Sequence, residues 1–455
     1  MREYLQLVSR TAFSNPFSEE HAALNRRLSE ESEALPPREM STRVLARVRQ
    51  HLASLFSKRP FDLRTYAGLD RELLKNAFLF EIHYHQVDNF DRLIDEQVNA
   101  GDTPCKVPFA REVLAEMEDR GIEGEEAERY LAFFYQFRRA FYFIDRGLVG
   151  KSRSMTRLRC HLWNNVFTFD IRWYDRYLWN RMEDCATLLL GRTGTGKGAA
   201  ASAIGRSGFI PFDARSERFS ESFTRNFIEI NLSQYPESLI ESELFGHKKG
   251  AFTGAIENHE GVFSRCSPHG AIFLDEVGEL SIPVQVKLLQ VLQERRFSPV
   301  GSGEPCHFHG RVIAATNRSL KKLRKEGAFR DDFFYRLCSD VIEVPSLQQR
   351  LQEESAELGI LINHLLRRIL GEESPEMAKV IEETLKEDLG PDYPWPGNVR
   401  ELEQAVRRIL LTNHYKGDTF LAPPEDLPGR LLDGIERENL DARQLLAGYC
   451  ALLYQ

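Results

Sequence analysis

Residues 185–198 read CATLLLGRTGTGKG. A short apolar run, Thr187–Leu190, meets Gly191-Arg192-Thr193-Gly194-Thr195-Gly196-Lys197, and the chain continues as the helix-forming GKGAAASAIG. The order strand, glycine-rich turn, helix gives the pattern G-x-x-x-x-G-K its meaning. The glycines let successive backbone N–H groups face one anion, and the helix N-terminus adds partial positive charge. Lys197 supplies a mobile cation for the β- and γ-phosphates of a bound nucleotide. Gly198 follows it, where many P-loops carry a Ser or Thr that holds Mg²⁺.

Outward from this turn, short apolar segments alternate with helical patterns: FIEINL (227–232), AIFLDE (271–276), RVIAATN (311–317) and DVIEVP (340–345). That alternation predicts an α/β fold with a parallel sheet. Asp275 and Glu276 end one strand, at the sheet edge where open α/β folds bind ligands. Asp275 is the candidate Mg²⁺ ligand, and Glu276 the candidate base for a water attacking the γ-phosphate. An Asp-Glu pair after a strand is often only the start of a polar loop; the P-loop upstream favours catalysis. Asn317, ending RVIAATN, puts an amide within reach of the γ-phosphate or that water.

Residues 1–180 read as mostly helical, with apolar residues at three-to-four spacing in STRVLARVRQHLASLF, RELLKNAFLFEIHYHQV and EEAERYLAFFYQFRRAFYFI. After Pro345 the chain is helical again, through ELGILINHLLRRIL, MAKVIEETLKEDL and VRELEQAVRRILLT. The expected domains are 1–180, 181–345, 346–420 and 421–455. The 455 residues carry 60 Lys and Arg against 68 Asp and Glu, net −8, so the chain as a whole is not coated for nucleic acid. Seven cysteines without CxxC pairs argue for reduced thiols. With no signal-peptide pattern and no run of about 18 apolar residues, a soluble, cytoplasmic protein without membrane partners is expected.

One further stretch is unusual. ESELFGHKKGAFTGA (241–255) sets Phe252 and Thr253 between glycines, after Lys248 and Lys249. Glycine pairs permit sharp, mobile backbone. The segment reads either as a surface turn with Phe252 tucked onto the core or as a mobile loop presenting Phe252 and Thr253 to a partner.

GRTGTGKG, ESELFGHKKGAFTGA, AIFLDEVGEL, RVIAATNRSL, FRDDFFYRL and WPGNVRELE together resemble, over roughly residues 180–415, the sigma-54 interaction domain. This is the AAA+ ATPase of bacterial enhancer-binding proteins, which activate sigma-54 RNA polymerase. The resemblance implies an AAA+ P-loop sheet with a helical lid, ATP and Mg²⁺ as cofactors, and a homo-oligomeric ring, usually a hexamer. Gly250, Ala251, Phe252, Thr253, Gly254 and Ala255 would form the loop that rises from the ring and touches sigma-54. ATP turnover would then remodel the closed promoter complex. Asn231 matches the asparagine that holds the catalytic glutamate, and Asn317 the first sensor. Arg330 and Arg336 match the paired arginine fingers that reach the neighbouring subunit's nucleotide, and Arg400 the second sensor. Other readings are an AAA+ remodeller of another protein target, from which the GAFTGA run separates it, and a non-catalytic nucleotide switch, which Lys197, Asp275, Glu276, Arg330 and Arg336 argue against.

Four departures from the family pattern stand out. Gly198 replaces the usual Glu. The connection at 205–226 is long and reads as an insertion at the ring edge. VFSRCSPHGAIFLDE lacks the usual Gly-Gly, and VPSLQQR replaces PPLRER. The N-terminal region resembles no sensory module of the family, and its expected regulatory role rests on position. His83 and His85, two apart on a helix, are expected in ordinary core or surface roles, and Trp163, Trp173 and Trp179 are expected to pack the linker onto the ATPase. LDARQLLAGYCALLYQ (440–455) resembles the first helix of a helix-turn-helix without the turn and recognition helix, so binding of promoter or enhancer DNA is an expectation from the family and is not carried by these residues.

Overall fold

The computed structural model describes residues 2–31, 35–56, 61–390, 393–417 and 442–453. They form two compact units. One runs through Ile360 and includes Gly397–Arg400; the other comprises Leu361–Pro396 and the residues from Glu401 on.

The first unit opens with eight principal helices: α1 (Arg2–Phe13), α2 (Glu19–Ser29), α3 (Pro37–Leu55), α4 (Gly68–His85), α5 (Val87–Ala100), α6 (Ala110–Asp119), α7 (Glu125–Gly147) and α8 (Arg153–Phe167). Helix α7 is the axle of the group. Glu125, Glu126 and Glu128 fill its first turn, where carboxylates complement the helix dipole. Its buried residues, among them Leu131, Phe133, Phe134, Tyr135, Gln136 and Arg139, cover more than one face, as expected of a helix packed on several sides. His83 packs against Phe134, while His85 is exposed.

Five parallel strands follow: β1 (Thr187–Leu190), β2 (Phe227–Asn231), β3 (Ala271–Asp275), β4 (Arg311–Thr316) and β5 (Asp340–Glu343), in the order β2-β3-β4-β1-β5. Their register sets Ile230 beside Leu274, Leu274 beside Ala314, Leu188 beside Ala314 and Leu189 beside Ile342. Between the strands run α9 (Lys197–Gly205), α10 (Glu237–Phe245), α11 (Ile282–Glu294) and α12 (Asp331–Leu337), and after β5 comes α13 (Leu347–Glu353).

Side chains alternate across a strand, so the buried runs divide between two apolar layers. Leu188, Ile272, Leu274, Val312 and Ala314 join a core with Leu288, Phe263 and Phe333. Leu189, Phe273, Ile313, Ala315 and Ile342 join the other core, which continues through Ala200, Ala201 and Ile204 of α9 into the N-terminal helices. Helix α9 therefore lies between the sheet and α7 and α8. The long connection 205–226 forms a short hairpin, Phe212–Asp213 with Arg218–Phe219, and closes against the N-terminal region. Phe219 stacks on Tyr135 at 4.1 Å, and the Val107 N–H donates to the Glu217 carbonyl at 2.9 Å.

Trp179 packs on Phe209, 4.8 Å between ring centres, and so ties the linker to the segment after α9. Trp163 is buried against Phe137 and Phe167. Trp173 does not join the seam: it is 55% exposed beside Phe169 and Tyr177, on an irregular turn facing outward.

The second unit is helical. It holds most of α14 (Glu357–Leu370), α15 (Pro375–Leu389), most of α16 (Asn398–Thr412) and α17 (Ala442–Leu453). Its interior gathers Leu361, Leu365, Ile381, Leu385, Leu402, Val406 and Ile409. Of the region expected to start a helix-turn-helix, 421–441 lies outside the described residues, and α17 follows. Among the described residues no helix is long and apolar enough to cross a membrane.

Candidate nucleotide site and partner loop

Strand β1 is buried through Leu189, and the turn 191–196 leaves it at the C-terminal edge of the sheet. Gly194 and Gly196 have φ of +76° and +105°, the region where a Cβ is disfavoured. Gly194 has a second reason: a Cβ there would lie 2.2 Å from the Gly397 carbonyl oxygen. Lys197 is buried, and its Nζ donates to the carbonyls of Gly191 at 3.0 Å and Arg192 at 3.4 Å. Thr195 Oγ1 donates to the Arg192 carbonyl at 2.9 Å. The loop is thus closed on its own carbonyl side, which leaves its N–H side as the anion cradle.

Asp275 and Glu276 stand at the end of β3. Burial raises the Asp275 pKa; Lys197, the Glu276 N–H and Arg400 each oppose that shift by favouring the carboxylate. The Glu276 N–H donates to Asp275 Oδ1 at 3.0 Å. Glu276 itself has φ +59° and ψ +46°, a left-handed conformation costing a non-glycine residue roughly 1–2 kcal/mol. Such strain is typical of functional positions held by their surroundings. Here the holding bond comes from the Asn317 N–H to Glu276 Oε2, 3.2 Å. Asn317 Nδ2 donates to Thr193 Oγ1 at 3.0 Å, joining the end of β4 to the P-loop. Asn231 sits opposite Asp275 in the sheet register, yet its carboxamide oxygen accepts from Ser233 N–H at 3.0 Å and Ser233 Oγ at 2.7 Å. It does not bond Glu276 in this state.

Gly198, the second residue of α9, has no side chain. A Cβ there would have only ordinary neighbours, Glu229 Oε1 at 3.8 Å and Phe273 Cε1 at 4.0 Å. Burial and then the Asp275 charge push the Glu229 pKa up, partly offset by Arg206.

The two candidate fingers are not part of this cluster. The Arg330 guanidinium forks onto Asp332 at 2.9 and 2.6 Å, and its N–H donates to Gln285 Oε1 at 2.9 Å. Gln285, wholly buried, also donates to the carbonyls of Leu280 and Ala328. Arg336 Nε donates to the Leu292 carbonyl at 2.9 Å.

The segment 250–255 is a compact turn. The Gly250 N–H donates to Ala255 O at 2.8 Å, and the Ala255 N–H to Phe252 O at 3.0 Å. Gly250 and Gly254 take φ of +82° and +105°, and nothing lies within 4 Å of where their Cβ atoms would be. Phe252 is 37% exposed and rests edge-on against His247, 4.9 Å between ring centres; Thr253 is exposed. The ring is therefore neither a core residue nor wholly free. Below the turn, His247 and His259 exchange backbone bonds at 3.0 and 2.9 Å, and the Lys248 N–H donates to Val300 O at 3.0 Å.

Comparison with known proteins places this arrangement. The sigma-54 interaction domain matches residues 177–343, and the AAA+ ATPase lid domain matches 348–443. A Pseudomonas sp. (strain NS671) protein named "Uncharacterized protein in HyuA 5'region" is 38% identical over 228 residues, 50% of this chain and 71% of that protein. The chain belongs to the sigma-54 interaction family. Other relatives include the transcriptional regulatory proteins GlrR and ZraR of Escherichia coli (strain K12). GlrR is 39% identical over 227 residues, 50% of this chain and 47% of that protein. ZraR is 41% identical over 271 residues, 59% of this chain and 54% of that protein. The chain spans about half the length of these two regulators.

Residues outside the matched sigma-54 interaction domain also hold the P-loop and the end of α9, in contacts that no motif shows. Asn398 is buried, with φ +52°. Its Nδ2 donates to the Thr193 carbonyl at 3.0 Å, its Oδ1 accepts from the Leu347 N–H at 2.8 Å, and the next N–H, of Val399, donates to the Gly194 carbonyl at 3.0 Å. The stretch that supplies Arg400 thus also seats the P-loop. On the far side, Arg139 of α7 donates to the carbonyls of Arg206 at 2.6 Å and Gly208 at 2.7 Å, and Gln136 to that of Ser207 at 2.9 Å. These are the carbonyls just past the C-terminus of α9. The only advance signal was a pair of polar residues inside an aromatic run.

Proposed function

We propose that this protein is an ATP-hydrolysing transcription activator that engages sigma-54 RNA polymerase through the turn 250–255. The observation that carries the reading is the presence in one domain of two features. One is a P-loop clustered with Asp275, Glu276 and Asn317. The other is an exposed GAFTGA turn hinged by two positive-φ glycines. The donor set fits Mg–ATP: a cradle of N–H groups, a lysine held beside it, and a carboxylate whose pKa burial raises and which Lys197 and Arg400 partly return toward the ionised form. Asp275 would hold Mg²⁺, which when bound offsets phosphate charge.

In this reading Lys197 exchanges two backbone carbonyls for the β- and γ-phosphates. Glu276 orients and deprotonates the water that attacks the γ-phosphate. Asn317 touches both Glu276 and Thr193, so a shift of the γ-phosphate is felt at the base. Asn231 lies one strand away and is free to serve Glu276 in another nucleotide state by giving up Ser233. Arg330 and Arg336, bonded away from the P-loop within one chain, act on the neighbouring subunit's nucleotide in a ring, a hexamer by family analogy. Arg400 senses the nucleotide from the lid side. Gly250 and Gly254 let Phe252 and Thr253 lift from His247 toward sigma-54 in the cytoplasm. Promoter or enhancer DNA would be read outside the ATPase.

The test is capture of purified sigma-54 by the full chain, with and without an ATP transition-state mimic. Capture is expected only with the mimic, and Phe252→Ala should abolish it. An active ATPase that never captures sigma-54 would overturn this reading in favour of an AAA+ remodeller with another protein target.

A further inference from the structure

Nothing in the backbone asks for glycine at position 198. Its φ is not in the left-handed region, and a Cβ would meet only ordinary contacts. Glycine inside a helix costs roughly 0.5–1 kcal/mol relative to alanine. What glycine does is omit a side chain from a position where P-loops often place a group directed at the cation. The missing side chain would start 3.8 Å from Glu229 Oε1.

Glu229 is placed to serve that position from another element. In the sheet register it pairs with Phe273, two residues before Asp275. Side chains two apart in a strand share a face, so Glu229 and Asp275 look toward the same side of the sheet. That is the side of α9, since Phe273 belongs to the core containing Ala200, Ala201 and Ile204. The Glu229 carboxylate is half exposed on an edge strand and makes no hydrogen bond or ion pair among the described residues. This carboxylate feels a second one, Asp275, and the charge of Arg206 eases that repulsion only in part, so a cation arriving beside Gly198 is favoured.

We propose that Glu229 is a positioning residue for the hydrated divalent cation of the nucleotide complex, replacing from β2 the group absent at Gly198. Mg²⁺ keeps several of its waters in nucleotide sites, and a carboxylate one shell out orients them. The inference rests on the reading of residues 191–198 as an Mg–ATP site.

The experiment measures equilibrium binding of a fluorescent ATP analogue to the full chain while Mg²⁺ is titrated, with melting temperature as a control. Glu229→Gln should raise the Mg²⁺ concentration for half-maximal effect by about tenfold, the low end for losing such a partner. Binding in EDTA and the melting temperature should stay at wild-type values. The double variant Glu229→Gln/Gly198→Ser should recover most of the Mg²⁺ response, because serine restores an oxygen at the usual position. An unchanged Mg²⁺ response in Glu229→Gln, with Lys197→Ala abolishing binding, overturns the role of Glu229 and leaves the site intact. Equal binding by Lys197→Ala and wild type would instead overturn the nucleotide-site reading itself.

Discussion

Helix α9 and the turn 250–255 are held in opposite ways. Three carbonyls just past the end of α9 receive bonds from Gln136 and Arg139, which are some seventy positions earlier in the chain and wholly buried. A cation at a helix C-terminus also suits the helix dipole. Burial lowers the Arg139 pKa to about 10, so the guanidinium is still charged near neutrality. The turn, by contrast, closes on its own backbone, and its one aromatic contact is with His247, five residues away. Long-range buried polar bonds fix the element that must cradle phosphate. Short local bonds leave the exposed turn 250–255 able to rearrange.

The sharpest way to break this comparison uses the arginines, whose bonds within one chain run to Asp332, Gln285 and the Leu292 carbonyl and not to the P-loop cluster. Arg330→Ala or Arg336→Ala should lower ATP turnover by about 10³-fold while leaving the fold intact. Mixing either variant with Lys197→Ala subunits should restore part of the activity. Full turnover by a strictly monomeric preparation of the variant would remove the action in trans. Next in size is the seam. Arg139→Ala leaves two buried carbonyls without donors and opens a cavity, so urea unfolding should show a loss of about 3 kcal/mol or more. A loss under about 1 kcal/mol would mean that α9 is not fixed from this side. Phe252→Ala should cost less than about 1 kcal/mol, well short of the ~3–5 kcal/mol of a core phenylalanine. Thermal melts distinguish the two.

The smallest effect is a pH dependence at the edge of the sheet. His161 Nε2 lies 3.0 Å from Asp340 Oδ1, and that bond raises the histidine pKa. Protonated His161 therefore stabilises the fold below its ordinary pKa, and the contribution disappears as pH rises through the raised folded value. The pair is partly exposed, so it should be worth under about 1 kcal/mol. Melting curves of wild type and His161→Gln should differ near pH 6 and converge near pH 9.

The nucleotide site was readable because its chemistry demands particular residue types in a fixed order: a glycine-rich turn, Lys197, then an acidic strand end at Asp275. The parallel sheet was readable from its apolar runs. Arg139 and Gln136 were not, since their partners are backbone carbonyls of a distant segment, and no local pattern encodes a carbonyl. Asn398 went unread because its work depends on a left-handed backbone, seen only in the fold. Trp173 was misjudged because spacing along a linker does not say which way an irregular turn faces. The packing of the 205–226 hairpin on Tyr135 of α7 is likewise set by the fold and by no local pattern.

The shared core has a consequence for how this protein could respond to a signal. Leu189, Phe273, Ile313 and Ile342 are part of one continuous interior with the N-terminal helices. A receptor module that simply lifts away would drag that apolar surface into water, at roughly 25 cal/mol for every Å² uncovered. The economical route is a small displacement of α7 within its packing, passed along Arg139 to the end of α9 and so to the phosphate cradle at its start. In the regulatory role expected from their position, the N-terminal helices would act less as a cover over the motor than as a lever whose short arm is already inside it.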